Sequence, residues 1–128
     1  MDKYRLSIGC DHGGFEQKAE LAQWLEEQGY SVLNRGCDSA ERVDYPDYAQ
    51  LVAQDVASGA VDFGILVCGT GIGMAIAANK VRGIRAANIT NVDFAKLTRQ
   101  HNHAIVLTLS GRFVSLGENK AIVEAFLN

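Results

Sequence analysis

The feature that most constrains the fold is a regular alternation of short apolar runs with amphipathic stretches. The first unit pairs YRLSIG, residues 4–9, with FEQKAELAQWLEEQG, residues 15–29. The apolar residues at helical spacing in the second stretch are Phe15, Ala19, Ala22 and Leu25. This strand-then-helix pattern recurs to the end of the chain. It predicts parallel strands joined by helices, because parallel strands need a crossover that a helix supplies.

Five such units can be placed on the chain. The further strands are predicted at 30–36, 61–69, 83–90 and 103–111, and the further helices at 46–59, 73–81, 93–102 and 116–128. Pro46 suits a first helical turn, whereas Gly29 and Gly59 suit helix ends. We therefore expect a Rossmann-like three-layer αβα sandwich around a five-stranded parallel sheet. The length of 128 residues fits one domain over residues 1–128.

The charge and cysteine content exclude several classes of protein. A formal net charge of -3 supplies no general basic field, so nucleic acid and anionic membranes are not expected partners. No run approaches the roughly 18 apolar residues of a membrane span, and the first residues lack a secretory pattern, which favours a cytoplasmic protein. The three cysteines, Cys10, Cys37 and Cys68, are odd in number and lack zinc-site spacing. We expect free thiols and no metal, with Cys10 and Cys37 structural.

Polar residues cluster in the loops that follow the predicted strands. Right-handed crossovers bring all of these loops to one edge of a parallel sheet, where ligands bind in such folds. The loops are CDHGG, CDSAERVDY, CGTGIG, ITNVD and LSGRF. The functional site is therefore expected at the carboxyl ends of the strands.

The glycine loop at residues 69–73 does not match a nucleotide-binding motif. Its pattern is G-x-G-x-G, Met74 stands where a dinucleotide fingerprint has its third glycine, and the loop lies in the third unit. A Walker pattern fails as well, because Lys80 is too far along the chain. The exposed backbone N–H groups can still hold an anion, which is either a phosphate or an oxyanion formed during a reaction.

Cys68 directly precedes this loop. A thiol between a strand end and a helix N-terminus is favoured as thiolate, and a base beside an oxyanion hole indicates proton abstraction next to a carbonyl group. The alternative is that Cys68 is a small buried apolar residue, since free cysteine is among the most buried residue types. The sequence leaves both interpretations open.

Other candidates carry the same ambiguity. Asp11 and His12 follow the first strand and can exchange protons with a sugar, although Asp11 can equally cap the first helix. Arg112 lies at the right edge to bind a phosphate bidentately. His101 ends a helix, where a histidine is often only a cation at the negative end of the helix dipole. That helix end lies at the opposite edge, so a functional His101 would have to reach a site made with another subunit, which would imply a dimer. Tyr45 is most simply a core or interface residue.

Several stretches together resemble the ribose-5-phosphate isomerase type B family, which includes galactose-6-phosphate isomerase subunits. They are GCDHGGFEQK, ERVDYPDYA, GILVCGTGIGMAIAANKVRGIRAA and RQHNHAIVLTLSGR, and they follow the family's order. The resemblance implies an aldose–ketose isomerase that needs neither cofactor nor metal ion. It also implies active sites built between the two chains of a homodimer, which can pair into a tetramer.

The resemblance assigns roles to residues of this sequence. Cys68 matches the thiol that moves a proton between C2 and C1 through a cis-enediolate, and it belongs with Asp11, Thr70 and His101 in the catalytic set. Asp11 and His101 match the residues that open the furanose ring. The substrate contacts are implied for His12 and Arg112 at the phosphate, Tyr45 and Asn102 at hydroxyl groups, and the backbone of Gly69, Thr70, Gly71, Ile72 and Gly73 at the enediolate oxygen.

Three departures from the family pattern affect specificity. Members usually continue into a Gly-Gly-Arg-His stretch with a further arginine, whereas this sequence ends at AFLN, so two phosphate contacts worth roughly 1.5–3 kcal/mol each are expected to be missing. His103 stands where an acidic residue is common, and ANITNVDFA is an unusual strand-four loop. Ribose 5-phosphate is the expected substrate. A galactose or allose 6-phosphate, a tetrose phosphate, and a non-catalytic sugar-phosphate-binding subunit are the alternatives.

Overall fold

The computed structural model describes residues 3–128 and contains the predicted alternation of strands and helices. The strands are β1 (Arg5–Cys10), β2 (Ser31–Gly36), β3 (Phe63–Cys68), β4 (Ala86–Asn88) and β5 (Val106–Ser110). The helices are α1 (Phe15–Glu27), α2 (Tyr45–Ala57), α3 (Ile72–Ala78), α4 (Val92–Leu97) and α5 (Leu116–Leu127). No helix within this described part of the chain combines the length and apolar content needed to cross a membrane.

The five strands form one parallel sheet in the order β2-β1-β3-β5-β4. The chain moves from β1 outward to β2 and then returns to place β3 on the other side of β1. This reversal makes the carboxyl ends of β1 and β3 the switch point where doubly wound sheets bind ligands. The last strand, β5, enters between β3 and β4, so its carboxyl end lies directly beside that of β3.

Helices cover both faces of the sheet and give two apolar layers. The layer under α1, α4 and α5 includes Leu21, Ala95 and Ile122, and the layer under α2 and α3 includes Val52 and Met74. All six residues of β3 are buried, because this strand is central and covered on both faces. The predicted three-layer αβα sandwich is confirmed.

The structure corrects three local predictions. In α1 the buried residues are Lys18, Leu21, Ala22 and Leu25, whereas Ala19 is exposed. Lys18 replaces Ala19 on the inner face because its ammonium group donates a hydrogen bond to Asn34 Oδ1 at 3.1 Å. The fourth strand spans only Ala86–Asn88, and the helix that follows it ends in a π-helical turn, Thr98–Asn102.

Candidate active site

Cys68 is the last residue of β3 and lies at the switch point. Its side chain is on the face of the sheet covered by α2 and α3, and the residue is 5% exposed. The sulfur accepts a hydrogen bond from the backbone N–H of Gly71 at 3.1 Å. Burial alone fits the apolar interpretation of this residue. The N–H contact instead gives the sulfur a polar partner that stabilises negative charge.

The glycine loop turns sharply over Cys68 into α3. Gly71 has a φ of 86° and is the N-cap residue of that helix. Its N–H points to the sulfur, and the N–H of Ile72 donates to Thr70 Oγ1 at 3.1 Å. Within residues 3–128 the amides of Gly69 and Thr70 have no acceptor. These two donors remain available to an anion above the loop.

Asp11 follows β1 and lies beside Cys68. Cys10 pairs with Val67 in the sheet, and the N–H of Asp11 donates to the carbonyl of Val67 at 3.2 Å. The Asp11 carboxylate accepts from the N–H of Gly13 at 2.8 Å. Of the two interpretations of Asp11, the one in which it caps α1 is wrong. The N-cap residue is Gly14, and the Asp11 carboxylate instead closes the turn before the helix by accepting from Gly13. The residue is 9% exposed and keeps a second carboxylate oxygen for other partners.

His12 and Arg112 line a cleft of about 240 Å³ next to the glycine loop. The cleft is also lined by Gly13, Glu16, Gln17, Ala40 and Gly111. The N–H of Val43 donates to His12 Nδ1 at 3.3 Å, which leaves Nε2 to face a ligand. The guanidinium of Arg112 lies over Gly69. A Cβ atom added to Gly69 would lie 3.3 Å from Arg112 Nη1. A phosphate in this cleft would meet one guanidinium and one imidazole.

Tyr45 begins α2 and reaches the same loop from the other side. A Cβ atom on Gly73 would lie 3.1 Å from the ring of Tyr45, so the ring packs against the first turn of α3. The residue is 38% exposed. The structure thus brings Cys68, the loop from Gly69 to Gly73, and four predicted side chains together: Asp11, His12, Tyr45 and Arg112.

His101 and Asn102 are not part of this cluster within one chain. They lie in the π-helical turn before β5, at the edge where the strands begin, and both are exposed. The Asn102 carbonyl accepts from Arg85 Nη1 at 3.1 Å, and Arg85 directly precedes β4. Within one chain, these two side chains therefore lie at the opposite edge of the sheet from the glycine loop.

The other two cysteines form a buried pair away from the loop. The sulfurs of Cys10 and Cys37 are 3.3 Å apart, and neither residue is in a disulfide. Burial, together with the close contact between the two sulfurs, raises the pKa of the Cys10 thiol. Burial that favours the neutral thiol fits a structural role for Cys10. No group of three metal-ligating side chains occurs between Lys3 and Asn128.

The sequence reasoning missed the residues that support the loop from below. Thr108 and Ser110 of β5 donate hydrogen bonds to the carbonyls of Gly71 and Gly69, and the Thr108 hydroxyl is also 3.4 Å from Asn88 Oδ1. The sequence does contain a pattern that indicates them. Thr108 and Ser110 end the fifth strand two residues apart, so their hydroxyls face the same side of the sheet. Using this pattern required knowing that β5 lies next to β3.

The fold and this cluster place the chain among doubly wound α/β proteins that bind an anionic ligand at the switch point. The sequence profile of the Ribose/Galactose Isomerase family matches residues 6–128. The chain belongs to this family. The predicted family is confirmed.

Individual relatives agree with this assignment. Ribose-5-phosphate isomerase B of Escherichia coli (strain K12) is 50% identical over 123 residues, which is 96% of this chain and 83% of that protein. The solved structure of ribose-5-phosphate isomerase B from Clostridium thermocellum superposes with a TM-score of 0.96 at 48% identity, covering 97% of this chain and 84% of that one. The structure of ribose-5-phosphate isomerase B from Mycoplasma genitalium with bound ribulose-5-phosphate superposes with a TM-score of 0.95 at 41% identity. The match covers 100% of this chain and 86% of that one.

Proposed function

We propose that this chain interconverts ribose 5-phosphate and ribulose 5-phosphate, with Cys68 as the group that moves the proton. The observation that carries the proposal is the position of the Cys68 sulfur, which lies under a loop with two unpaired amides and beside Asp11. A relative with ribulose-5-phosphate bound has the same fold at 41% identity. Membership of an isomerase family supports the same reaction.

The proposed reaction is a proton transfer between adjacent carbons. The Cys68 thiolate takes the proton from C2 of the open-chain aldose, and the electron pair of that C–H bond forms a C1–C2 double bond. The C1 carbonyl oxygen gains the negative charge, and the amides of Gly69 and Thr70 donate to it. After a proton passes from the C2 hydroxyl to the C1 oxygen, the thiol returns its proton to C1 and the C2 carbonyl forms. No atom or electron is gained or lost.

The substrate must be opened and held before this step. We assign ring opening to Asp11 with His101 of a second chain, one group taking the proton of the C1 hydroxyl and the other protonating the ring oxygen. His12 and Arg112 hold the phosphate in their shared cleft. Tyr45, and Asn102 of the second chain, contact the sugar hydroxyls. A sugar phosphate carries charge that retains it inside a cell, which supports a cytoplasmic role in pentose phosphate metabolism.

The homodimer is part of the proposal. His101 and Asn102 are distant from the glycine loop of their own chain, so a complete site requires two chains. Exposed apolar side chains offer surfaces for such a contact. Ile72 and Ile76 of α3 are 54% and 56% exposed, and Phe94 and Leu97 of α4 are 56% and 43% exposed. In each helix the two side chains are one turn apart and on one face, and adjacent exposed apolar side chains of this kind favour a protein interface.

Exchange of the C2 proton with solvent tests the role of the thiol. Cys68→Ser is expected to lower the exchange of ribose 5-phosphate in deuterated water by about 10²- to 10⁴-fold, because the proposed base at C2 is removed. Cys37→Ala is the matched control, since it removes a buried thiol outside the cluster. Circular dichroism verifies that both variants fold. Undiminished exchange in Cys68→Ser contradicts the proposal.

A mixing experiment tests whether the site is shared. Cys68→Ala and His101→Ala are each expected to be inactive. Mixed dimers of the two carry one site with both native residues, so mixing after reversible dissociation should restore about a quarter of wild-type activity. No recovery would place His101 outside the site or in its own chain's site.

A hexose 6-phosphate is the second candidate substrate, because the family is one of both ribose and galactose isomerases. Comparing kcat/KM for ribose 5-phosphate, galactose 6-phosphate, allose 6-phosphate and a tetrose phosphate separates these activities. The proposal expects ribose 5-phosphate to give the highest value.

A further inference from the structure

Two hydroxyl groups of β5 fix the peptide planes of the glycine loop. Thr108 Oγ1 donates to the Gly71 carbonyl at 2.8 Å, and Ser110 Oγ donates to the Gly69 carbonyl at 2.7 Å. Both residues are buried, at 0% and 2% exposure. They are two positions apart in the strand, so both hydroxyls lie on the face that carries the Cys68 side chain.

Each bond to a carbonyl also directs the amide on the other side of the same peptide plane. In a trans peptide the carbonyl of one residue and the N–H of the next point in opposite directions. Holding the Gly69 carbonyl down on Ser110 therefore turns the N–H of Thr70 up, away from the strand. Holding the Gly71 carbonyl on Thr108 fixes the peptide that carries the N–H of Ile72.

Ser110 joins this loop to the segment that carries Arg112. Its hydroxyl accepts a hydrogen bond from the N–H of Phe113 at 3.0 Å, while the N–H of Arg112 donates to the same Gly69 carbonyl at 3.2 Å. The buried Ser110 Oγ atom thus sets the distance between the amide of Thr70 and the backbone of the Arg112 segment. A change at Ser110 is transmitted to both ends of a bound sugar phosphate.

We infer that Ser110 and Thr108 are positioning residues for the isomerase reaction. Ser110 orients the peptide whose Thr70 amide receives the enediolate oxygen, and Thr108 fixes the Gly71–Ile72 peptide, whose N–H holds the Thr70 side chain. This inference rests on the proposed function of the same site. Neither side chain touches the substrate. Their hydroxyls act through the loop, because preorganised donors stabilise a developing charge without reorganising during the reaction.

Steady-state kinetics of the full chain with ribose 5-phosphate test the inference. Ser110→Ala and Thr108→Val are each expected to lower kcat about 10- to 100-fold, because a misaligned donor stabilises the transition state less. We expect the larger change in KM for Ser110→Ala, which also loosens the Arg112 segment. Thr108→Ser keeps the hydroxyl and should restore most of the lost kcat.

Ser7→Ala is the matched control for a general loss of stability. Ser7 is 0% exposed on β1 and its hydroxyl donates to Asp55 Oδ2 at 2.8 Å, away from the glycine loop. It should lose stability as the β5 variants do, yet retain kcat. Equal loss of kcat in Ser7→Ala and Ser110→Ala at a temperature where both are folded overturns the inference.

Hydrogen exchange measured by NMR separates this inference from the proposed function. The Gly71 and Ile72 amides donate within the loop, so their exchange should accelerate about tenfold in Ser110→Ala and Thr108→Val and stay unchanged in Ser7→Ala. Unchanged exchange in the β5 variants overturns the positioning role. If the wild-type chain fails to isomerise ribose 5-phosphate, the proposed function is rejected, and the exchange data still decide whether the hydroxyls order the loop.

Discussion

Gly71→Ala is expected to be among the most damaging single-methyl changes in the chain. The residue has a φ of 86°, where a side chain costs about 1–2 kcal/mol. An added Cβ would also lie 3.0 Å from the carbonyl carbon and oxygen of Leu109 and would overlap Asn88 Oδ1. Relieving such overpacking costs about 1–3 kcal/mol. The free energy of unfolding should therefore fall by about 2–5 kcal/mol.

Two other glycines separate these contributions. Gly59 has a φ of 81° and an added Cβ meets nothing within 4 Å, so Gly59→Ala should cost only the backbone term of about 1–2 kcal/mol. Gly117 lies in α5 with open space around it, and Gly117→Ala should stabilise the protein by about 0.5–1 kcal/mol. The order of stability is expected to be Gly117→Ala, wild type, Gly59→Ala, Gly71→Ala.

Urea denaturation followed by circular dichroism measures this order. Asn88→Ala removes one of the two clashing groups, so the double variant with Gly71→Ala should regain about 1 kcal/mol relative to additivity. The contact with the Leu109 backbone remains in both. A cost for Gly71→Ala no larger than that for Gly59→Ala would refute the packing argument. An additive double variant would show that the Asn88 side chain moves away freely.

Three further outcomes are expected. Arg112→Ala should raise KM for ribose 5-phosphate about 10- to 100-fold, since a charged hydrogen bond is worth about 1.5–3 kcal/mol, and an unchanged KM in steady-state assays would contradict the phosphate role. Hydrogen bonds from Arg35 hold the pKa of Asp55 below its ordinary value, so the stability this carboxylate adds is present at neutral pH and lost as the pH falls below about 4. The deficit of Asp55→Asn in urea titrations should therefore shrink with acidification, and a deficit that grows would be inconsistent with this sign. Phe94→Asp should lower the sedimentation coefficient from the value of a dimer to that of a monomer. An unchanged coefficient would show that α4 is not part of the proposed interface.

The order and type of the elements could be predicted from the sequence because they depend on local periodicity. Apolar runs bounded by glycine gave the buried strands, and the polar residues after those runs gave the edge where the site lies. Lys18 shows where periodicity fails. Its ammonium group is satisfied by Asn34 on a different element, so its burial depends on a tertiary partner that local spacing does not contain.

The support beneath the glycine loop could not be predicted because it depends on strand order. The sequence of units places β4 after β3, whereas in the sheet β5 lies beside β3 and β4 is at the edge. Thr108 and Ser110 contact the glycine loop only as a result of this arrangement. Asp11 was open to two interpretations, proton exchange with a sugar and capping of α1, for a related reason: whether its carboxylate caps α1 depends on where the helix begins.

The distribution of burial over the site assigns different physical roles to its parts. Cys68 ends a strand whose six residues are all buried, and its loop is tied to a second buried strand by two hydroxyls. Arg112, by contrast, is exposed in a loop. Proton abstraction needs an atom held within a fraction of an ångström, whereas binding a phosphate tolerates more movement because charge attraction is less directional. The chemical step is therefore built on the buried centre of the sheet, and substrate capture on its exposed rim.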